Sequence, residues 1–152
     1  MVKEGSAAPA FKTTDANGET VNLKDFRGKK VALYFYPKDH TPGCTKEACS
    51  FRDAFSKFKK QGITILGVSP DSEKYHQKFV AKYKLPFTLL ADTDHSIADA
   101  YGVYGEKKFM GRTYMGIHRT TFLIDEKGKI KKVFEKVKPE DHADEVLGAF
   151  SG

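Results

Sequence analysis

Both cysteines of the chain fall in one short segment, Thr41-Pro-Gly-Cys-Thr-Lys-Glu-Ala-Cys49. Cys44 follows a Thr-Pro-Gly turn where a helix is expected to begin, and Cys49 lies five positions further along the same helix. Amide N–H groups at a helix N-terminus favour an anion, so Cys44 stands where a thiolate is stabilised. The thiolate is the nucleophilic form of cysteine, and a thiol serving only as core filler would gain nothing from that position. Thr41, three residues before the thiol, can cap the helix or hydrogen-bond a thiolate and an incoming substrate; the two roles are compatible. Pro37 and Pro42 shape the loop, and Gly43 lets its backbone approach a ligand closely. Two cysteines are too few for a disulfide-stapled scaffold, so a catalytic or sensing pair is the better reading.

Three other chemistries compete for these residues. His40, Cys44 and Cys49 could be taken as zinc ligands, but a structural site needs a fourth ligand and favours C-x₂₋₄-C spacing. On a helix the two thiols also point about 140° apart, so no metal is expected. Thiol–disulfide oxidoreductases of thioredoxin type use C-x-x-C, whereas this chain has C-x₄-C. A redox-sensing or holdase-like protein could use the same switch, and would stop after one oxidation event. The remaining histidines, His76, His95, His118 and His142, are assigned to the surface or to loops.

Length and composition bound the rest. A chain of 152 residues fits a single domain spanning 1–152, large enough to bury roughly 70% of its unfolded surface. Apolar residues make up 39% and charged residues 30%, the balance of an ordinary soluble protein. No apolar run approaches the ~18–20 residues that span a bilayer. Met1-Val-Lys-Glu-Gly5 lacks the apolar stretch of a signal peptide, so a cytoplasmic location is expected and a membrane association is not. The net charge of +6 could suit nucleic acid. The lysines, however, are interleaved with Asp and Glu, and no recognition motif accompanies them. The densest run, Lys127–Lys132, reads as a hairpin turn with solvated edge lysines.

Periodicity places the segment within a fold. Ala10–Thr14 and Thr20–Leu23 read as strands around the Asn17-Gly18 turn. Lys30–Tyr36 is a nearly continuous apolar run, as expected of a central strand covered on both faces, and Pro37 ends it. A helix over 43–60 carries an apolar stripe of Ala48, Phe51, Phe55 and Phe58. Further elements are a strand at 63–68, a helix capped by Asp71 or Ser72 and running to Tyr83, a strand at 87–91 and a short helix at 96–101. Strands at 119–124 and 130–135 and a helix over 139–150 complete the chain. This order predicts an α/β protein: a thioredoxin-like, mixed β-sheet with helices on both faces and an N-terminal β-hairpin extension. Ligands in open α/β sheets gather beyond the carboxyl ends of strands, where Pro37–Cys44 lies.

Pro37-x-x-x-Thr41-x-x-Cys44 resembles the signature of the peroxiredoxins, thiol-dependent peroxidases of thioredoxin-like fold. The longer string Tyr36–Cys49, with Phe51-Arg-Asp53, is similar to the peroxiredoxin Q branch, the bacterioferritin comigratory proteins. Gly67–Asp71, Gly105–Lys108 and Gly116–Asp125 look like that branch too, so the likeness covers essentially the whole chain. The resemblance implies that Cys44 is the peroxidatic cysteine, oxidised to sulfenic acid by hydrogen peroxide or an organic hydroperoxide. It implies that Thr41 and Arg119 are its partners, with Pro37 and Gly43 shaping the substrate site. Alone, Arg119 could equally make an ordinary surface salt bridge. Cys49 matches the resolving cysteine, giving an intramolecular disulfide that thioredoxin or a similar dithiol carrier would reduce. No cofactor is implied, and a monomer or weak dimer is expected. Glu47 is left open between orienting Arg119 and being an exposed helix carboxylate.

Overall fold

The computed structural model describes residues 1–151. In chain order the elements are β1 (Lys12–Asp15), β2 (Thr20–Asn22), a 3₁₀ turn (Leu23–Phe26), β3 (Lys30–Phe35), α1 (Pro42–Asp53), α2 (Phe55–Lys60) and β4 (Ile63–Ser69). Then follow α3 (Glu73–Tyr83), β5 (Thr88–Ala91), α4 (Ser96–Tyr101), β6 (Tyr104–Phe109), β7 (Arg112–Ile117), β8 (Thr120–Ile124), β9 (Ile130–Phe134) and α5 (His142–Ser151). Seven strands form one sheet in the order β2-β1-β5-β4-β3-β8-β9, and β6 pairs with β7 in a separate two-stranded sheet. β3, β4 and β5 run parallel, while β1 joins β5, and β8 joins β3, antiparallel. The expected mixed sheet is therefore present, and so is the N-terminal hairpin.

Alternation along β3 explains why both faces are covered. Ala32, Tyr34 and the following Tyr36 join a core with Cys44, Ala48 and Phe51 of α1, Phe79 of α3 and Val146 of α5. Val31, Leu33 and Phe35 point the other way, into a core with Ile97, Ala98 and Tyr101 of α4. Full burial of an aromatic such as Phe51 contributes roughly 1.5–3 kcal/mol. The apolar face of α1, carrying Phe51 and Ala48, therefore fixes how the helix lies on the sheet. Gly67 lies under Tyr34: a Cβ there would meet Tyr34 Cζ at 2.8 Å, so the ring fits only over glycine.

Three elements differ from expectation. The helix over 43–60 is broken at Ala54 (φ −98°, ψ 5°), and the break lets α1 pack on α5 while α2 packs on β4. The last helix starts at His142 rather than 139, because Asp141 N donates to Lys138 O and closes a turn around Pro139 first. The β6–β7 hairpin was not expected. It turns on Met110 (φ 51°) and Gly111 (φ 79°), two successive left-handed residues that splice antiparallel strands tightly. No helix among the described residues is long and apolar enough to cross a membrane.

Candidate active site

Helix α1 presents Cys44 in its first turn, one turn after the end of the loop that leaves β3. Thr41 is the N-cap residue, with extended backbone (φ −85°, ψ 152°), and Pro42 occupies the first helical position, where its missing N–H costs nothing. The Thr41 hydroxyl does not cap the helix. It donates instead to Lys38 O at 2.8 Å, while Thr41 O accepts the first helical bond from Thr45 N at 2.9 Å. Cys44 is buried at 1% exposure on the floor of this turn.

Arg119, just before β8, reaches across to the thiol. Its Nη2 donates to Cys44 Sγ at 3.2 Å, and its Nη1 donates to Glu47 Oε1. Cys44 and Glu47 are three apart on α1, so one helix face offers both to the same guanidinium fork. Glu47 is fully buried. Burial pushes its carboxyl from an ordinary 4.5 up to about 7, although the Arg119 charge and hydrogen bond pull the other way. Burial works against the charge of Arg119, but Glu47 and Cys44 outweigh it and hold the guanidinium above its usual value. Glu47 Oε2 and Tyr34 Oη are both buried without a protein hydrogen-bond partner. Burial, with Glu47 next in weight, pushes the Tyr34 phenol well above its usual range.

Gly43 explains how the arginine gets so close. A Cβ on Gly43 would lie 3.2 Å from Arg119 Nη2 and 3.9 Å from its Cζ. The glycine thus makes room for the guanidinium beside the thiol. Pro37 is half-buried in the loop after β3, and Cys49 is half-buried further along α1. Cys44 and Cys49 are both free thiols. The structure therefore brings Cys44, Arg119, Gly43 and Glu47 together, while no bond joins Cys49 to Cys44.

The sequence pattern of the AhpC/TSA family matches residues 5–133. The chain belongs to that family. It is a peroxiredoxin of the Q, or bacterioferritin comigratory protein, branch, and hence a thiol peroxidase. Peroxiredoxin Bcp of Escherichia coli K12 is 51% identical over 96% of this chain and 94% of its own. Peroxiredoxin Bcp of Bacillus subtilis is 50% identical, over 96% and 93%. The Xanthomonas campestris bacterioferritin comigratory protein superposes with a TM-score of 0.91 at 37% identity, covering 98% of each chain. The thioredoxin-like fold read from the element order is thus the fold of this peroxiredoxin.

The peroxiredoxin departs from the sequence reading at two histidines. His76 and His142 are fully buried, not on the surface. His142 lies edge-on to Phe51 and Phe134, with Nε2 2.7 Å from Thr121 Oγ1, and burial pushes it below its usual value, against Glu145. His76 is held by Asp39. His118 is exposed, and His95 is half-buried and stacked on Tyr104, as expected of loop and surface positions. Glu47 resolves in favour of the arginine support, since no surface is left to it. A cavity of about 720 Å³ opens by Thr14, Glu73, Asp92 and Ile97, and none of the thiol-site residues lines it.

Proposed function

We propose that Cys44 is the peroxidatic cysteine, reducing hydrogen peroxide and organic hydroperoxides. Its thiolate attacks one peroxide oxygen, forming an S–O bond as the O–O bond breaks. The sulfur becomes a sulfenic acid, and the departing oxygen takes up a proton to leave as water or alcohol. Negative charge moves from sulfur to that oxygen, so a fixed cation spanning the path lowers the barrier. Arg119, 3.2 Å from the sulfur and braced by buried Glu47, is the observation that carries this reading. The Thr41 hydroxyl already donates to Lys38 O, which leaves its lone pairs to accept the O–H of the incoming hydroperoxide. Pro37 and Gly43 shape the wall of the site.

Cys49 then acts as the resolving thiol. It condenses with the sulfenic acid, releasing water and leaving an intramolecular disulfide. Thioredoxin or a similar dithiol carrier reduces that bond and completes the cycle. Electrons come from thiols throughout, so the scheme needs no metal, flavin or haem. Both sulfurs belong to one chain, so a monomer or weak dimer suffices. Residues five apart on a helix rise about 7.5 Å, with Cα atoms roughly 8–9 Å apart. Bridging without backbone movement stops near ~7 Å. Part of α1 must therefore unwind before the bond can form.

Consumption of several hydroperoxides with thioredoxin and its reductase tests the scheme. Many turnovers per Cys44 are expected, and none for Cys44→Ser. Oxidation that halts after one event per chain, with reductant in excess, would point to a sensor instead.

A further inference from the structure

Another buried polar group is tied to the same loop and takes no part in the chemistry above. Asp39 lies between Pro37 and Thr41, and its side chain is fully buried together with that of His76 on α3. Asp39 Oδ2 is 2.5 Å from His76 Nδ1, and Asp39 Oδ1 accepts from the buried Tyr36 hydroxyl. The other ring nitrogen, His76 Nε2, is 3.0 Å from Leu90 O, a pure acceptor, and so must carry hydrogen. At 2.5 Å the Asp39–His76 contact is a short buried hydrogen bond, with the ring's other nitrogen fixed on Leu90 O. Asp39 N in turn donates to Asp71 Oδ2 at 2.8 Å, and the Ser69 hydroxyl donates to the same oxygen at 2.6 Å. Asp39, Asp71 and His76 gather their ligating atoms within 4.8 Å, but the facing atoms are already used in these bonds.

The next residue strengthens the tie. His40 has φ 65°, a left-handed backbone that few side chains adopt, histidine more readily than most. Its ring meets Tyr75 and Phe79 of α3 edge-on, with centroids 5.2 and 5.0 Å apart, and lies near Tyr83. Thus two consecutive residues of the loop that leads into Cys44 are anchored on one helix, α3. Buried hydrogen-bonded partners are costly to separate, because each polar group is left unsatisfied.

We propose that the Asp39–His76 pair is a latch that holds the peroxidatic loop in its peroxide-ready shape. Its strength sets how the enzyme divides between peroxide reduction and the opening of α1 that disulfide formation needs. Asp39 and His76 are positioning residues: they touch neither sulfur nor substrate, and act through Thr41 and Cys44. The inference rests on the roles of Cys44 and Cys49 given above.

Rapid-quench mass spectrometry on the full chain reads the two steps separately: oxidation of Cys44 by hydrogen peroxide, then Cys44–Cys49 disulfide formation. His76→Gln and the milder Asp39→Asn should slow the first step and speed the second, shifting the ratio of the two rates by roughly tenfold or more. In the double variant the second substitution should add little, since the pair is already broken. Ile130→Ala, in the core on the other face of the sheet, is the control for simple destabilisation: it should lower the melting temperature and leave the ratio alone. A ratio within about twofold of the parent in both Asp39→Asn and His76→Gln overturns the latch. So does an equal shift in Ile130→Ala. Should the parent form no Cys44–Cys49 disulfide, the resolving role falls, and the latch is then judged by the first step alone. An unslowed Cys44 oxidation in both variants would refute it there.

Discussion

Gly43→Ala should make this enzyme less active without the added stability that a helical alanine ordinarily brings. Gly43 lies in the first turn of α1 with ordinary helical backbone, so alanine fits without strain. Replacing glycine by alanine in a helix gains roughly 0.5–1 kcal/mol, chiefly from the unfolded state. The new methyl, however, would sit 3.2 Å from Arg119 Nη2. Ordinary carbon contacts begin several tenths of an ångström further out. Arg119 cannot yield freely, because Nη1 is held by Glu47 and Nη2 by Cys44. The guanidinium must swing away from the sulfur or loosen on the carboxylate. A hydrogen bond to a charged group is worth about 1.5–3 kcal/mol, and partial loss of one, ~1–2 kcal/mol, slows peroxide reduction by roughly five- to thirtyfold. Single-turnover oxidation of Cys44 at saturating thiolate gives the rate, and calorimetry gives the melting temperature. A melting temperature that rises while the rate stays within about twofold of the parent would show that Gly43 does not set the Arg119–Cys44 approach.

Removing the cation altogether should cost more: Arg119→Ala is expected to lose about 10²–10³-fold in peroxide rate and to alkylate more slowly at neutral pH. A loss of threefold or less (~0.65 kcal/mol) would mean another group carries the charge. Cys49→Ser should oxidise once per Cys44 at the parent rate and then accumulate sulfenic or higher acids. An equal loss of the first step in Cys44→Ser and Cys49→Ser would reverse or void the two roles. Glu47 binds its proton more tightly folded, at about 7 against an ordinary 4.5, so its ionisation opposes folding increasingly as pH rises through that window. Glu47→Gln should remove about 3 kcal/mol of that pH dependence; melting curves with the same pH slope as the parent would contradict the buried carboxyl. Hydrogen exchange should quicken over 43–52 in the disulfide form while β3 stays protected, and a confirmed bridge with unchanged protection of α1 would sink the unwinding step.

Local patterns made most of the frame readable. The apolar run of β3, the Asn17-Gly18 hairpin and the Ser72 cap, whose Oγ accepts from Tyr75 N at 3.2 Å, are each decided by a few neighbouring residues. The short helix Ser96–Tyr101 appears with the bounds its sequence suggests. What escaped reading is set at long range. His76 is buried because Asp39, 37 positions earlier, receives it, and His142 because Thr121 does. Nothing beside either histidine in sequence announces that partner. Glu47 looks like any helix carboxylate until Arg119, 72 positions away, closes over it. The β6–β7 hairpin was hidden for another reason: its turn is Met110-Gly111, not an Asn-Gly pair, and Phe109, Met110, Tyr114 and Met115 are exposed, so no alternation marks its strands.

These long-range ties also account for a helix that is held firmly yet can be given up. Of the first residues of α1 after Pro42, Gly43, Cys44 and Thr45 are all weak helix formers, and Cys49 and Ser50 add little. The helix stands by what it touches. Ser50 Oγ accepts from Ala143 N at 3.2 Å, Arg52 Nη1 donates to Tyr83 O at 2.8 Å, and Arg119 holds Cys44 and Glu47. In the proposed cycle, oxidation acts on one of these ties directly. A sulfenic acid is neutral where the thiolate was charged, so the Arg119–Cys44 contact weakens in the step that makes opening useful. The low intrinsic propensity of this segment then leaves unwinding resisted only by the remaining ties, those of Phe51, Glu47, Ser50 and Arg52 and the loop anchor at Asp39. A good helix former in place of Thr45 should accordingly slow disulfide formation without slowing peroxide attack. Rapid-quench rates on Thr45→Ala measure this. If both steps kept their parent rates while melting curves showed a stabilised protein, the weak propensity of α1 would be irrelevant to its opening.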